Sequence, residues 1–250
     1  MKVWATSDMH IDYEENLKWF LQLSDMDYQN DILIIAGDIS DKISAIEKVF
    51  KKLVSKFHLV LFVPGNHDLW LEEGEVSNSM EKFNMVLELA HDKGVQTTPY
   101  HNEKLSIIPM FSWYDFSFGI PNPTIRRAWQ DFKRCKWPTN LEETTNHFLK
   151  LNEKHISNQN DTIISFSHFL PSPTLIPLNV PKIVRSLLPV LGSFKLGEQV
   201  TKLKPNLHIY GHSHLNRSMY KDGISYINNA YGYPQESHIS RKKLLMVYEN

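Results

Sequence analysis

Five times along this chain a run of apolar, largely β-branched residues stops abruptly at a small cluster of Asp, His, Asn and Gly. The clusters are Asp8-Met9-His10, Gly37-Asp38-Ile39-Ser40-Asp41, Gly65-Asn66-His67-Asp68, Ser167-His168 and Gly211-His212-Ser213-His214. A short apolar run bounded in this way is the pattern of a buried strand, so each cluster marks the place where a strand ends and a loop begins. In open α/β sheets, ligands bind at the carboxyl ends of the strands. Asp, His and Asn together make a donor set suited to zinc, iron or manganese. One Asp-x-His is most often a surface pair, and one Gly-Asn only a turn. Five such clusters on successive strand ends read instead as a two-metal hydrolase.

Between the clusters the spacing turns helical. Residues 12–23 carry Leu17, Phe20 and Leu21 on one face, and residues 80–91 carry Phe83, Val86, Leu87 and Ala90. Residues 42–57 place Ile43, Ile46, Phe50, Leu53 and Phe57 at intervals of three and four, the signature of an amphipathic helix. Asp41 or Ser44 is its expected cap, and Gly94 the expected stop of the helix over 80–91. The first 95 or so residues therefore read β-α-β-α-β-α, with parallel strands and right-handed crossovers. Further strands are predicted at 95–98, 105–108, 162–166 and 207–210, and a helix at 141–157. Short strands follow at 216–220, 223–227 and 243–248, with Asp222-Gly223 as a hairpin turn. The periodicity predicts a single mixed α/β domain over 1–250.

Two stretches interrupt this pattern. Residues 112–139 interleave Trp113, Tyr114, Phe116, Phe118, Trp129, Phe132 and Trp137 with Arg126, Arg127, Lys133, Arg134 and Lys136. They read either as aromatics packed into the main core or as a cap beside the site. Residues 171–189 hold five prolines directly after His168, and loops this long are usually functional or disordered. The histidines outside the clusters, His208 among them, read as surface or packing residues.

Bulk properties exclude more than they assign. A formal net charge of −1 disfavours a broad grip on nucleic acid, which depends on many Lys and Arg contacts to phosphate. The lone Cys135 allows neither an internal disulfide nor a thiolate cluster. The chain opens straight into the first strand, leaving no room for a signal peptide. No apolar run approaches the ~20 residues that span a bilayer. The expectation is a cytoplasmic protein with no membrane partner.

The ordered string D-x-H, G-D-x-x-D, G-N-H-D, H, G-H-x-H, running from residue 8 to residue 214, resembles the calcineurin-like metallophosphoesterase superfamily. That resemblance implies a four-layer α/β/β/α sandwich of two mixed sheets flanked by helices. It implies two divalent or trivalent metal ions (Mn, Fe, Zn or a mixed pair) and a hydroxide bridging them. Carried over by position, one ion would be held by Asp8, His10, Asp38 and His214, and the other by Asp38, Asn66, His168 and His212. His67 would protonate or stabilise the leaving group, with Asp68 orienting its ring. Arg217, three residues after the last ligand, is a candidate for a phosphate oxygen. Tyr231 and Tyr233 stand where the superfamily usually has small residues, and they are the candidate substrate contacts.

The implied reaction is hydrolysis of a small phosphodiester or phosphomonoester. The diester is preferred because the complete His67-Asp68 pair suits a poor alkoxide leaving group. Two rivals remain: a non-catalytic scaffold of the same fold, and a nuclease gripping single strands with the aromatic-basic segment. No protein partner is implied, and the additional arginines of the superfamily's protein phosphatases are not found.

Overall fold

Alternation along the first strands sorts side chains onto two faces, and those faces decide the layers. The computed structural model describes residues 1–156 and 160–250. Strands β1 (Lys2–Thr6), β2 (Ile32–Ile35) and β3 (Leu59–Phe62) run parallel, each followed by a helix: α1 (Glu14–Gln22), α2 (Ile43–Val54) and α3 (Ser79–Asp92). Leu33, Ile35, Val60 and Phe62 meet Phe20, Ile46, Val49, Phe50, Leu53, Val86 and Ala90 from the helices. On the opposite face Val3, Ala5, Ile32, Ile34 and Leu61 join a core shared with a second sheet.

The second sheet takes β4 (Tyr100–His101), β5 (Leu105–Pro109), β6 (Thr162–Ser167), β7 (Leu207–Tyr210), β8 (Arg217–Lys221) and β9 (Ile224–Asn228) in the order β4-β5-β6-β7-β9-β8. Strands β5, β6, β7 and β9 are parallel, with antiparallel neighbours at both edges. A final strand, β10 (Leu245–Glu249), returns antiparallel to β1, so the first sheet reads β10-β1-β2-β3. Helices α6 (Leu141–Asn152) and α8 (Phe194–Leu203) cover the second sheet, joined by Lys195 to Glu142 at 2.8 Å and Asn152 to Gln199 at 2.9 Å. The result is two mixed sheets flanked by helices, the expected four-layer sandwich.

Several local expectations shift. The hairpin turn forms as read, with Asp222 and Gly223 both left-handed at φ 52° and 84°, which matches strand twist. Residues 95–98 do not form a strand; Gln96 makes one bridge to Leu61. The helix predicted over 141–157 ends at Asn152 in a 3-10 turn, Glu153–His155, and position 157 lies outside the described residues. Neither Asp41 nor Ser44 caps α2: Lys42 occupies that position, and the Asp41 carboxylate goes to Arg134 at 2.6 Å.

The aromatic segment holds two short helices, α4 (Pro123–Ala128) and α5 (Asp131–Arg134). Its Trp113 and Tyr114 are buried against Phe169, so this part packs into the core. The proline-rich stretch is ordered by a 3-10 turn at Pro173–Leu175, by α7 (Lys182–Ser186) and by a second turn at Leu188–Val190.

His208, on β7, is the packing residue with the clearest thermodynamic signature. Its ring lies between Ser165 Oγ at 2.7 Å and Ser167 Oγ at 3.0 Å, and burial pushes its pKa down to about 3. The unfolded chain binds a proton near pH 6.5 that the folded chain refuses, so this residue's stabilisation is complete above that pH and declines as pH falls towards 3. From pH 6.5 to 5 the loss is about 2 kcal/mol. Urea unfolding at both pH values should show His208→Gln losing about 2 kcal/mol less than wild type over that interval; equal losses would mean that the ring is not held neutral.

Candidate metal centre

All five clusters come together at the carboxyl ends of β1, β2, β3, β6 and β7, where the two sheets meet. The backbone bends sharply to achieve this. Asp8, His10, Asp38, His212 and His214 are all left-handed, with φ of 52°, 42°, 59°, 65° and 54°. Such conformations cost non-glycine residues on the order of 1 kcal/mol each and concentrate at functional sites. Hydrogen bonds between the loops hold them. The His212 amide donates to Asp8 Oδ1 at 2.9 Å, and the His67 amide donates to Asp38 Oδ1 at 2.9 Å.

The side chains form two groups that share Asp38. Donor atoms of Asp8, His10, Asp38 and His214 lie within 4.8 Å of one another, as do those of Asp38, His168 and His212. Asn66 Oδ1 joins the second group, 3.0 Å from His168 Nε2. The structure thus brings together the seven side chains that the sequence singled out, in two groups that share Asp38.

Protonation bears on what this cluster could hold. His168 Nδ1 faces Ala36 O at 2.8 Å, and His212 Nε2 faces Val190 O at 3.0 Å. A carbonyl only accepts, so these nitrogens carry the hydrogens. Burial holds both rings neutral, His168 at about 3 and His212 at about 4. The free nitrogens, His168 Nε2 and His212 Nδ1, therefore turn lone pairs on each other at 3.1 Å, with Asp38 Oδ2 3.5 Å away. Converging lone pairs with no proton between them fit a cation.

At the other group, burial works against charge on His214, but Asp8 and Glu236 overcome it and push its pKa up to about 10. Asp8 is buried, yet His214 draws it below the usual carboxylate range. Asp38 goes the opposite way: burial, with Asp8 and Asp68 beside it, pushes it well above that range. A buried carboxylate crowded by two others is relieved by bound positive charge.

The other candidates divide. His67 stands outside both ligand groups, with its ring stacked on Trp70 at 3.6 Å and its Nε2 3.3 Å from Tyr233 Oη. Tyr233 also stacks on His10 at 4.5 Å, so it lies at the site. Tyr231 turns away and stacks on Trp19 at 4.1 Å, packing α1 rather than facing substrate. Arg217 donates to Leu175 O at 3.2 Å, which aims its guanidinium at the proline-rich loop.

Asp68 is not the ring-orienting partner expected for His67. Its two oxygens accept backbone amides of Asp38, Ile39, Ser40 and Gly65 at 2.8 to 3.2 Å. It binds the Asp38 loop to the Gly65 loop, and burial pushes its pKa up to about 6 despite those amides. Glu236 escaped sequence reasoning altogether. It accepts His214 Nδ1–H at 2.6 Å and the Tyr233 amide at 2.7 Å, which turns His214 Nε2 towards Asp8 Oδ1 at 3.2 Å, where an ion would take the place of the ring's second proton. No local signal marks it, since 22 residues separate the pair.

A family model described as calcineurin-like phosphoesterase matches residues 1–216. Among curated proteins, the acyl-carrier-protein phosphodiesterase PptH of Mycobacterium tuberculosis (strain ATCC 25618 / H37Rv) is 25% identical over 264 residues, covering 94% of this chain and 78% of that protein. The crystal structure of the phosphopantetheinyl hydrolase PptH from Mycobacterium tuberculosis superposes with a TM-score of 0.82 at 22% identity, covering 100% of this chain and 96% of that chain. A further solved structure, 13% identical, gives a TM-score of 0.54 over 92% of this chain and 90% of that chain. At these identities the structural likeness is one of fold.

Proposed function

The chain belongs to the calcineurin-like phosphoesterase family, and on that premise we propose that it is a dinuclear phosphodiesterase. It is a metal-dependent phosphoester hydrolase by family; the diester and the pair of ions are the finer reading. The observation that carries this reading is the shared carboxylate, since Asp38 belongs to both donor groups. Asp8, His10, Asp38 and His214 would hold one ion, and Asp38, Asn66, His168 and His212 the other. Two such cations supply a water of lowered pKa and positive charge against the phosphoryl oxygens.

The protein's own contribution is at the leaving group. Burial, reinforced by the charged His214, holds His67 well below the usual histidine range. The neutral ring meets the departing oxygen as a hydrogen-bond donor, steadied by Trp70 and backed by the Tyr233 hydroxyl. An alkoxide leaves poorly, so a diester gains most from such a donor. The relative named as an acyl-carrier-protein phosphodiesterase makes a phosphopantetheinylated carrier protein the first natural diester to try.

The test compares bis-p-nitrophenyl phosphate with p-nitrophenyl phosphate in added manganese, with metal content measured alongside. The diester should be the faster substrate. On a diester whose leaving group is an alkoxide rather than p-nitrophenolate, His67→Gln should lose about 10²–10⁴-fold in kcat while keeping its metal. A protein that turns over only the monoester would overturn the diester reading. Wild-type kcat in His67→Gln would remove the leaving-group role.

A further inference from the structure

An asparagine ligand has two faces: its amide offers either an oxygen lone pair or N–H bonds, and only the oxygen binds a cation. At Asn66 the choice is made from the aromatic segment. Asp131, at the start of α5 and 2% exposed, accepts Asn66 Nδ2–H at 2.9 Å on its Oδ1. The same oxygen accepts the indole N–H of Trp70 at 2.6 Å, and Oδ2 accepts that of Trp129 at 2.8 Å. An indole nitrogen only donates, so both oxygens of Asp131 are acceptors. The Asn66 nitrogen must therefore face Asp131, which turns Asn66 Oδ1 towards His168 Nε2 at 3.0 Å. The two rings held by this carboxylate border the site as well: Trp70 is stacked on His67, and Trp129 lies edge-on to His212 at 5.8 Å.

We propose that Asp131 is a positioning residue of the second metal subsite, fixing the Asn66 amide with its oxygen inward and so setting that subsite's affinity for its ion. This rests on the dinuclear reading above. The separation of subsites makes it testable apart from activity. In Asp131→Asn the new amide can turn its own N–H towards Asn66, and the Asn66 amide is free to flip.

Calorimetric titration of Mn²⁺ into the metal-free protein should resolve two binding steps, and Asn66→Ala identifies which belongs to the second subsite. Asp131→Asn should weaken that step by about 10–100-fold and leave the other step, at Asp8, His10, Asp38 and His214, unchanged. A purely structural role would weaken both steps together, and that result overturns the proposal. The double variant Asn66→Asp/Asp131→Asn guards against a simple folding defect. A carboxylate at 66 presents oxygen in either orientation, so second-step affinity should recover. A double variant as weak as Asp131→Asn also overturns the proposal, whereas a wild-type protein that takes up fewer than two ions overturns the dinuclear reading instead.

Discussion

Asp38→Asn should empty the site and silence the enzyme in one step, while making the metal-free fold more stable. The carboxylate is 1% exposed, with Asp8 and Asp68 close enough to push its pKa well above the usual range. In the metal-free protein at neutral pH, its ionised form is therefore a source of strain. A neutral amide of the same shape removes that repulsion and still accepts the His67 amide, which donates to Asp38 Oδ1 at 2.9 Å. Cation binding should reverse the balance, because on the dinuclear reading the shared anion attracts both ions. Thermal unfolding with chelator should place Asp38→Asn at or above wild type. With saturating manganese the wild type should gain stability by mass action and the variant should gain little. Activity should fall by at least about 10³-fold, beyond the 10–100-fold typical of residues that only support a ligand. A variant that kept two ions per chain would contradict the shared-carboxylate geometry.

The contrast with His67→Gln follows from position. His67 lies outside both groups of candidate donors, so on the proposed reading its loss should cost turnover and not metal. Two variants a few ångströms apart thus separate holding the ions from using them.

What the sequence disclosed was whatever a strand end carries with it. Asp8, His10, Asp38, Asn66, His168, His212 and His214 each follow an apolar run within a few residues, and a buried strand delivers its terminus to the site without further instruction. The layers were legible for the same reason: Ile32–Ile35 must be covered on both faces, and the neighbouring segments have helical period.

What stayed hidden were contacts between distant residues of unremarkable type. Asp41 looked like a cap, but Arg134, 93 positions away, takes its carboxylate. Asp131 lies in a segment that read through its aromatics and arginines, and its partner Asn66 is 65 positions earlier. Tyr231 and Tyr233 were candidates alike because both stand where the superfamily usually has small residues, and alternate residues of an extended segment would share a side. Gly232 between them is left-handed at φ 72°, which breaks the alternation and sends one ring to Trp19 and the other to His10.

Gly65→Ala adds one methyl group and should cost the protein its function. Gly65 is not among the left-handed residues, so alanine meets no backbone objection there and would ordinarily stabilise the fold through the unfolded chain. The obstacle is space. A Cβ at Gly65 would lie 2.1 Å from Asp38 Oδ1, 2.7 Å from Asp38 N and 2.7 Å from His168 Cε1. Backing away is blocked, because Asp68 Oδ2 accepts the amides of both Gly65 and Asp38 at 2.8 Å and holds the two loops at that separation. The variant must therefore displace Asp38, His168 or the Asp68 bridge, and each displacement disturbs the second subsite.

Overpacking of this kind costs roughly 1–3 kcal/mol, and misplacing a reacting group by about 1 Å costs on the order of 10²-fold in rate. Gly94→Ala is the informative control: it is left-handed at φ 77° with nothing within 4 Å of a new Cβ. It should lose about 1 kcal/mol of stability and keep full activity, whereas Gly65→Ala should lose activity and second-site metal out of proportion to its change in melting temperature. Wild-type turnover in Gly65→Ala would mean that the β2 and β3 loops can separate without moving Asp38, and the close approach would then be incidental to the chemistry.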